Sequence, residues 1–275
     1  MFGAIAGDVI GSVYERNNVK HKAFALFSEG SRFTDDSVLT LAVARALLSG
    51  EPPGRAMREL HGCYPQAGFG PTFRAWIAAG EGAPAPKSAS NGAAMRIAPV
   101  AWAFDTLAEV LAAAERFTVL THDHPEGVKG AQATAAAVFL ARRGESKAAI
   151  RHHIEQSFGY DLSVPLAVLR PGHAFDLSCA GTVPPAIRAF LEAEDFEDAV
   201  RNAISIGGDS DTLACIAGAI AEAHWGGVPA PIAARVWAVL DAPLRTLAQR
   251  FCAAYAVPLA LVPFTDGESP PPSAG

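Results

Sequence analysis

Cysteine is scarce in this sequence, with four residues among 275 and no CxxC pair. Cys63, Cys179, Cys215 and Cys252 are scattered along the chain and mostly have apolar neighbours. This spacing is a weak basis for a cysteine-bound metal. It predicts buried, reduced thiols of the kind found in cytosolic proteins, so we expect the protein in the cytoplasm.

Positive charge is also limited, because 22 Lys and Arg stand against 28 Asp and Glu, for a net charge of −6. This balance argues against a broad surface that neutralises nucleic-acid phosphates, but it is compatible with a small anionic ligand held by backbone amides or metals. The N-terminal apolar segment contains Asp8 and has no basic residue before it, which argues against a signal peptide or a membrane span. We expect a monomer with no membrane partner.

Strand-like alternation of β-branched residues is almost absent, whereas apolar residues recur with helical periodicity in many segments. Proline begins several of these segments and glycine ends several, as at helix termini. The pattern predicts an all-α, multi-helix fold in one compact domain over residues 1–264, followed by a disordered Pro- and Ser-rich tail over 265–275. After a first helix near the N-terminus, the predicted helices cover residues 37–48, 71–79, 106–120, 128–142, 145–157, 184–193, 196–205, 212–224, 231–240 and 243–256. Residues 80–91 and 159–182 interrupt the pattern and are expected to form loops, which are often functional.

The first predicted helix combines an apolar face with a stripe of small residues. Gly3, Gly7 and Gly11 recur every fourth residue, which predicts the close approach of a neighbouring helix. Asp8 and Glu15 share another face, two helical turns apart. We expect Glu15 to emerge at the end of this helix and Asp8 to make structural hydrogen bonds.

The motif FTDDS places Thr34, Asp35 and Asp36 at the start of a strongly apolar helix. Helix capping is the simplest interpretation, because Thr and Asp accept hydrogen bonds from the first amides and acidic residues suit the positive end of the helix dipole. One such residue satisfies the cap. At least one carboxylate is left without an explanation.

The motif GGDSDT repeats this arrangement far along the chain, with Asp209, Asp211 and Thr212 before another apolar helix. The two glycines allow a tight turn and close approach to a ligand, and carboxylates with a hydroxyl are hard oxygen donors. If both helix starts converge, four carboxylates and two threonine hydroxyls face one another. Their repulsion favours divalent cations, and oxygen-only ligands suit Mg²⁺ or Mn²⁺ better than Zn²⁺.

Five motifs, in this order, resemble the signatures of the ADP-ribosylglycohydrolases: GAIAGDVIGSVYE, FTDDS, SNGAAMRIAP, THDHP and GGDSDT. They extend over nearly the whole chain, and five ordered motifs are far more specific than any one. The resemblance implies an all-helical fold with two Mg²⁺ or Mn²⁺ ions at the base of a cleft. On the matching positions, the implied metal ligands are Thr34, Asp35, Asp36, Asp209, Asp211 and Thr212.

The resemblance also implies a substrate, which is ADP-ribose or an ADP-ribosylated protein, nucleic acid or small molecule. Glu15 matches a glutamate beside the metals and the scissile bond, and we favour it as the acid or base, with Asp35 mainly a ligand; these two roles could exchange. His122 matches a histidine near the ribose, and the SNG loop matches the element whose amides and small residues receive the diphosphate. The implied substrate contacts are Ser90, Asn91, Gly92, His122 and Gly70. No residue is assigned to the adenine.

The expected reaction is hydrolysis of the bond between C1 of the distal ribose of ADP-ribose and an acceptor atom. Two other functions are compatible with the sequence: a non-catalytic ADP-ribose-binding or crystallin-like protein, and a binuclear phosphohydrolase acting on a nucleotide. The complete set of acidic and threonine positions argues against a loss of catalysis. Binding without product release would favour the first alternative, and phosphate release the second.

Overall fold

A computed structural model gives the fold of residues 1–260. In this part of the chain the backbone forms fourteen α-helices and one short 3₁₀-helix, Asn91–Ala93, and no strand beyond a single bridge between Ser90 and Ser178. The α-helices are α1 (Phe2–Gly11), α2 (Asp35–Ser49), α3 (Pro53–Cys63), α4 (Pro71–Ala78), α5 (Val100–Ala103), α6 (Leu107–Thr118), α7 (Pro125–Arg142), α8 (Lys147–Phe158), α9 (Leu166–Gly172), α10 (Cys179–Glu192), α11 (Phe196–Ile206), α12 (Ser210–Trp225), α13 (Ala230–Val239) and α14 (Ala242–Ala254). The predicted domain end at residue 264 and the tail over 265–275 lie outside the described residues.

The all-α prediction is confirmed, and the differences concern a few helices. Helices α3 and α5 were not predicted, and the expected loop over 159–182 contains α9 and the first turn of α10. The start of α10 was wrong because Pro184 was taken as its first residue. The helix begins earlier because the Ser178 hydroxyl accepts from the amide of Gly181 at 3.0 Å, which caps a turn ahead of the proline.

Helices α1 and α12 pack through their backbones at the centre of the molecule. All ten residues of α1 are buried, and α12 is buried over residues 210–223. A Cβ atom on Gly7 would lie 2.0 Å from the carbonyl oxygen of Ala214, and one on Gly11 would lie 2.5 Å from the Cα of Asp211. The glycine stripe therefore allows the close approach that its spacing predicts.

We expect Gly7→Ala to lower the free energy of unfolding by about 1–3 kcal/mol or more, because the added methyl overlaps backbone atoms that cannot rotate away. Gly62→Ala in α3 is the matched control, since a Cβ there meets nothing within 4 Å. That control should stabilise the protein by up to about 1 kcal/mol through helix propensity. Urea unfolding of both variants measures the difference, and equal effects would contradict direct backbone packing of α1 on α12.

Asp8 connects α1 to the start of α2. Its carboxylate accepts hydrogen bonds from the amide and hydroxyl of Thr34, at 2.9 and 2.7 Å, and from the amide of Ser37 at 3.2 Å as well as the Ser37 hydroxyl. The structural role expected for Asp8 is confirmed. Because α1 also contacts α12, Asp8 fixes the start of α2 relative to α12.

We expected Glu15 at the end of the first helix. This was wrong, because α1 stops at Gly11 and Glu15 lies beyond it. The following residues form turns in which the side-chain amide of Asn18 donates to the carbonyls of Tyr14 and Glu15, at 2.7 and 2.9 Å. Side-chain bonds of this kind compete with helix propagation. Asn18 also exchanges two hydrogen bonds with the backbone of Gly208, at 2.6 and 3.0 Å, so the Glu15 turn is tied to the residue before Asp209.

Three of the four cysteines are buried and all four are free thiols, but Cys63 is exposed at the end of α3, where burial had been expected. In the described part of the chain, no helix combines the length and the apolar character that a bilayer span requires.

Candidate active-site cleft

The two acidic helix starts meet in space. The hydroxyl of Thr212, in the first turn of α12, donates to Oδ2 of Asp36, in the first turn of α2, at 3.0 Å. Asp36, Asp209, Asp211 and Thr212 are at most 6% exposed. The convergence that the sequence only allowed as a possibility is therefore present.

Helix capping explains only one side chain of the two acidic motifs. Thr34 is the N-cap residue of α2, and its hydroxyl accepts from the amide of Asp36 at 3.3 Å. Asp209 occupies the N-cap position of α12 but makes no side-chain cap bond. The carboxylates of Asp35, Asp36 and Asp211 do not cap a helix either, so capping does not explain them.

Burial and mutual repulsion raise the pKa values of these carboxyl groups. Burial and the nearby Asp8 raise the pKa of Asp35 to about 7. Burial, then the charges of Asp8, Asp35 and Asp209, raise the pKa of Asp36 well above its usual range. For Asp211 the causes are burial and then Asp36 and Asp209. The helix starts thus bring several carboxyl groups together in a buried setting that disfavours their charged forms.

A divalent cation fits the chemistry of this donor set. Within residues 1–260, no three His, Cys, Asp or Glu side chains already surround a common metal position, so the carboxylates are neighbours and not a finished cluster. Their oxygens, with the Thr34 and Thr212 hydroxyls, are the hard ligands that Mg²⁺ and Mn²⁺ prefer. Both hydroxyls donate to carboxylates, which leaves lone pairs available to a cation.

A cavity of about 370 Å³ opens above the acidic helix starts. It brings together all twelve site residues proposed from the sequence, whose roles stay predictions. Those lining residues are Glu15, Thr34, Asp35, Asp36, Gly70, Ser90, Asn91, Gly92, His122, Asp209, Asp211 and Thr212. His124 does not line it, because its ring caps α7 by accepting from the amide of Glu126 at 3.1 Å.

The 3₁₀-helix that begins at Asn91 borders the acidic residues. The side-chain amide of Asn91 donates to Oδ2 of Asp209 at 2.6 Å and to the Thr182 hydroxyl at 3.0 Å. Its backbone amide donates to the carbonyl of Leu177 at 2.7 Å. The amide of Asn91 is therefore engaged within the protein, while the predicted role of the loop in receiving a diphosphate stays a prediction. Ser90 also lines the cavity.

The cavity has further lining residues that the sequence analysis did not identify, and five of them bear on its charge and hydrogen bonding. Arg16 and Arg32 are exposed at its mouth, and their charges lower the pKa of Glu15, although burial and Asp209 raise it more. The others, Ser88, Arg96 and Thr121, surround His122. Arg96 had a detectable signal, since an arginine inside the apolar run AAMRIAP indicates a buried charge with partners.

The sequence model of the family described as ADP-ribosylglycohydrolase matches residues 1–259. The chain belongs to the ADP-ribosylglycohydrolase family. Among its curated relatives, the ADP-ribosylhydrolase ARH3 proteins of Bos taurus and Homo sapiens are 26% and 25% identical to it. Those alignments cover 82% of this chain and 83% and 84% of the two relatives.

A solved structure titled "ADP-ribosylglycohydrolase-related protein complex" has the same fold as this family member. Its TM-score is 0.65 at 25% identity, and the match covers 91% of this chain and 94% of that chain. The helical architecture is thus that of the family, which agrees with the ordered motifs of the sequence.

Proposed function

We propose that this member of the family hydrolyses the bond between C1 of the distal ribose of ADP-ribose and an acceptor, with the help of two Mg²⁺ or Mn²⁺ ions. The single observation that supports this best is the 3.0 Å contact between Thr212 and Asp36, since it joins the two acidic helix starts under one cavity. The names of the ARH3 relatives agree with ADP-ribosyl hydrolysis. A cytoplasmic location and a monomeric state stay predictions.

The proposed metal ligands are Thr34, Asp35, Asp36, Asp209, Asp211 and Thr212. When bound, Mg²⁺ or Mn²⁺ supplies a Lewis acid that polarises substrate oxygens. The cavity volume is in the range of small-ligand sites. Arg16 and Arg32 at the mouth attract an anionic substrate, which suits the diphosphate of ADP-ribose.

Glu15 is the proposed acid or base. Cleavage passes through an oxocarbenium-like state, in which the leaving group needs a proton and the attacking water must lose one. Burial and the charge of Asp209 raise the pKa of Glu15, so its carboxyl group holds a proton at higher pH than an exposed glutamate. Asn18 and Gly208 keep the Glu15 turn beside Asp209.

A panel of defined ADP-ribosyl linkages tests the proposal. Purified protein is incubated with Mg²⁺, Mn²⁺ or EDTA and with substrates linked through arginine, serine, a nucleobase or O-acetyl-ADP-ribose. We expect release of ADP-ribose from at least one linkage, and loss of this release in EDTA. Tight binding of ADP-ribose without product would favour the binding protein, and phosphate release without ADP-ribose would favour a phosphohydrolase.

Cation binding should also appear in the pH dependence of stability. In the metal-free protein, the folded carboxyl groups have raised pKa values and hold protons that the unfolded chain releases. For Asp35 this lowers the free energy of unfolding as pH rises from 3.8 to about 7. Cations compete with those protons, so we expect the Tm gain from Mg²⁺ to be larger near pH 7.5 than near pH 5. Thermal melts with EDTA or Mg²⁺ measure it, and an equal gain at both pH values would contradict these ligands.

A further inference from the structure

We propose that Arg96 and Thr121 are positioning residues that act through His122 to turn the Ser90 hydroxyl into a hydrogen-bond donor toward a phosphate oxygen of the substrate. The four side chains form one continuous hydrogen-bonded chain from the protein interior to the cavity. The inference rests on the proposed function for the identity of the ligand, but the donor and acceptor direction of these hydrogen bonds is testable without any ligand.

The series of hydrogen bonds starts at Arg96, which is fully buried. Its Nη2 donates to the Thr121 hydroxyl and lies 3.5 Å from Nδ1 of His122. A guanidinium group has donors only, so no hydrogen bond can point toward it. Burial lowers the pKa of Arg96 to about 10, which leaves the group charged at neutral pH. Arg96 therefore acts only as a donor toward Thr121 and His122.

Thr121 passes this orientation to His122. Its hydroxyl oxygen accepts from Arg96 and lies 2.8 Å from Nδ1 of the imidazole, so its hydrogen is available to Nδ1. The Thr121 hydroxyl and the Arg96 guanidinium then both face Nδ1, and Nδ1 accepts in this arrangement. Burial and the charge of Arg96 lower the pKa of His122 well below its usual range, so the ring is neutral. A neutral ring with an accepting Nδ1 carries its hydrogen on Nε2.

The Nε2 hydrogen reaches the cavity through Ser90. Nε2 lies 2.9 Å from the Ser90 hydroxyl oxygen, which therefore accepts from His122. The hydrogen of Ser90 is left for the Ser88 hydroxyl, at 3.0 Å, or for a ligand, because both serines line the cavity. A ligand at Ser90 is accordingly met by a donor, which suits an anionic oxygen and not an N–H group.

Gly92 leaves the space that this arrangement requires. A Cβ at this position would lie 3.2 Å from Nε2 of His122, on the side where the ring meets Ser90. Arg96 also keeps unused donors, because within residues 1–260 its Nε and Nη1 atoms have no partner. A merely structural arginine would be expected to satisfy more of its donors. Its positive charge lies beside the cavity, which Arg96 helps to line.

The tautomer of His122 is the first test, and it needs no substrate. In ¹⁵N-histidine NMR of the full-length protein, assigned with His122→Gln, we expect a neutral ring protonated on Nε2 at neutral pH. Thr121→Val removes one of the two donors that face Nδ1 and should weaken the preference for the Nε2-protonated form, whereas Thr121→Ser should restore the wild-type signal. An Nδ1-protonated or cationic His122 in the wild type would overturn the proposal.

Binding is the second test. We expect Thr121→Val to weaken ADP-ribose about tenfold or more by calorimetry, which corresponds to one hydrogen bond to a charged group. Adenosine, which lacks the phosphates, should be bound equally by variant and wild type. Thr118→Val is the matched control, because Thr118 is also fully buried and its hydroxyl has no partner among the described residues. It should change neither affinity.

The outcomes separate this inference from the proposed function. Equal losses for ADP-ribose and adenosine in Thr121→Val would indicate a structural role alone and overturn the inference, while leaving hydrolysis by the wild type untouched. A wild-type protein that shows the Nε2 tautomer and the phosphate-dependent loss, but cleaves no linkage, would refute the proposed hydrolysis and support the hydrogen-bonded chain. Arg96→Lys should keep the tautomer, because lysine also donates and is charged.

Discussion

The Asp211→Ala variant is expected to lose its divalent cations and at least about 10³-fold in turnover, because metal-based charge stabilisation contributes several kcal/mol to such reactions. Asp211 is 5% exposed, and the charges of Asp36 and Asp209 act on it directly. Metal content per chain, measured by mass spectrometry after equilibration with Mn²⁺, should fall in the variant. Unchanged stoichiometry would contradict the ligand assignment.

Two further variants separate loss of the cations from loss of the fold. Asp211→Asn keeps the side-chain shape and removes a charge that its neighbours repel, so without metal it should melt no lower than the wild type, yet gain nothing from Mg²⁺. Asp105→Ala is the surface control, since the Asp105 side chain is 99% exposed. It should keep both the metal content and the activity.

Glu15→Gln is expected to lower turnover by about 10²- to 10⁴-fold, the usual range for loss of a general acid or base. Metal content and ADP-ribose affinity should be unchanged, because the amide keeps the size of the side chain and Glu15 is not among the proposed ligands. Single-turnover rates and calorimetry measure the two quantities. Full turnover in the variant would exclude Glu15 from the chemistry and leave Asp35 as the candidate.

Glu29→Gln is the matched control for Glu15→Gln. Glu29 is an exposed glutamate in the same connection between α1 and α2, but it does not line the cavity. The change of charge is the same in both variants. If Glu29→Gln lost as much turnover as Glu15→Gln, the effect would come from the negative charge of this segment and not from proton transfer by Glu15.

Much of the helical fold could be predicted from the sequence because long apolar helices repeat their pattern over several turns. Helix α3 has only a short apolar stripe, since Ala56, Met57 and Leu60 are the buried residues among its eleven. The start of α10 depends on Ser178, whose capping bond outweighs the usual preference for proline in the first turn. Short helices and helix starts are decided by single contacts, which periodicity does not report.

The candidate site divides in the same way. The resemblance of the ordered motifs indicated Ser90 and His122 as candidates, whereas the acidic residues also had a chemical signal of their own. The bond from Arg96 to Thr121 joins residues 25 positions apart, and no local pattern specifies it. The position of Glu15 was also beyond prediction, because it is set by Asn18 and Gly208 across the chain.

The contact between α1 and α12 sets the distance between the two acidic helix starts. Gly11 lies against the Cα of Asp211, while Asp8, three residues earlier, accepts a hydrogen bond from Thr34 at the start of α2. The width of one bare backbone thus sets how far apart the two acidic ends stand. A single methyl group at Gly11 would push the two helix starts apart without altering any oxygen donor. At this position one substitution would therefore disturb both the packing of the fold and the geometry of the candidate site.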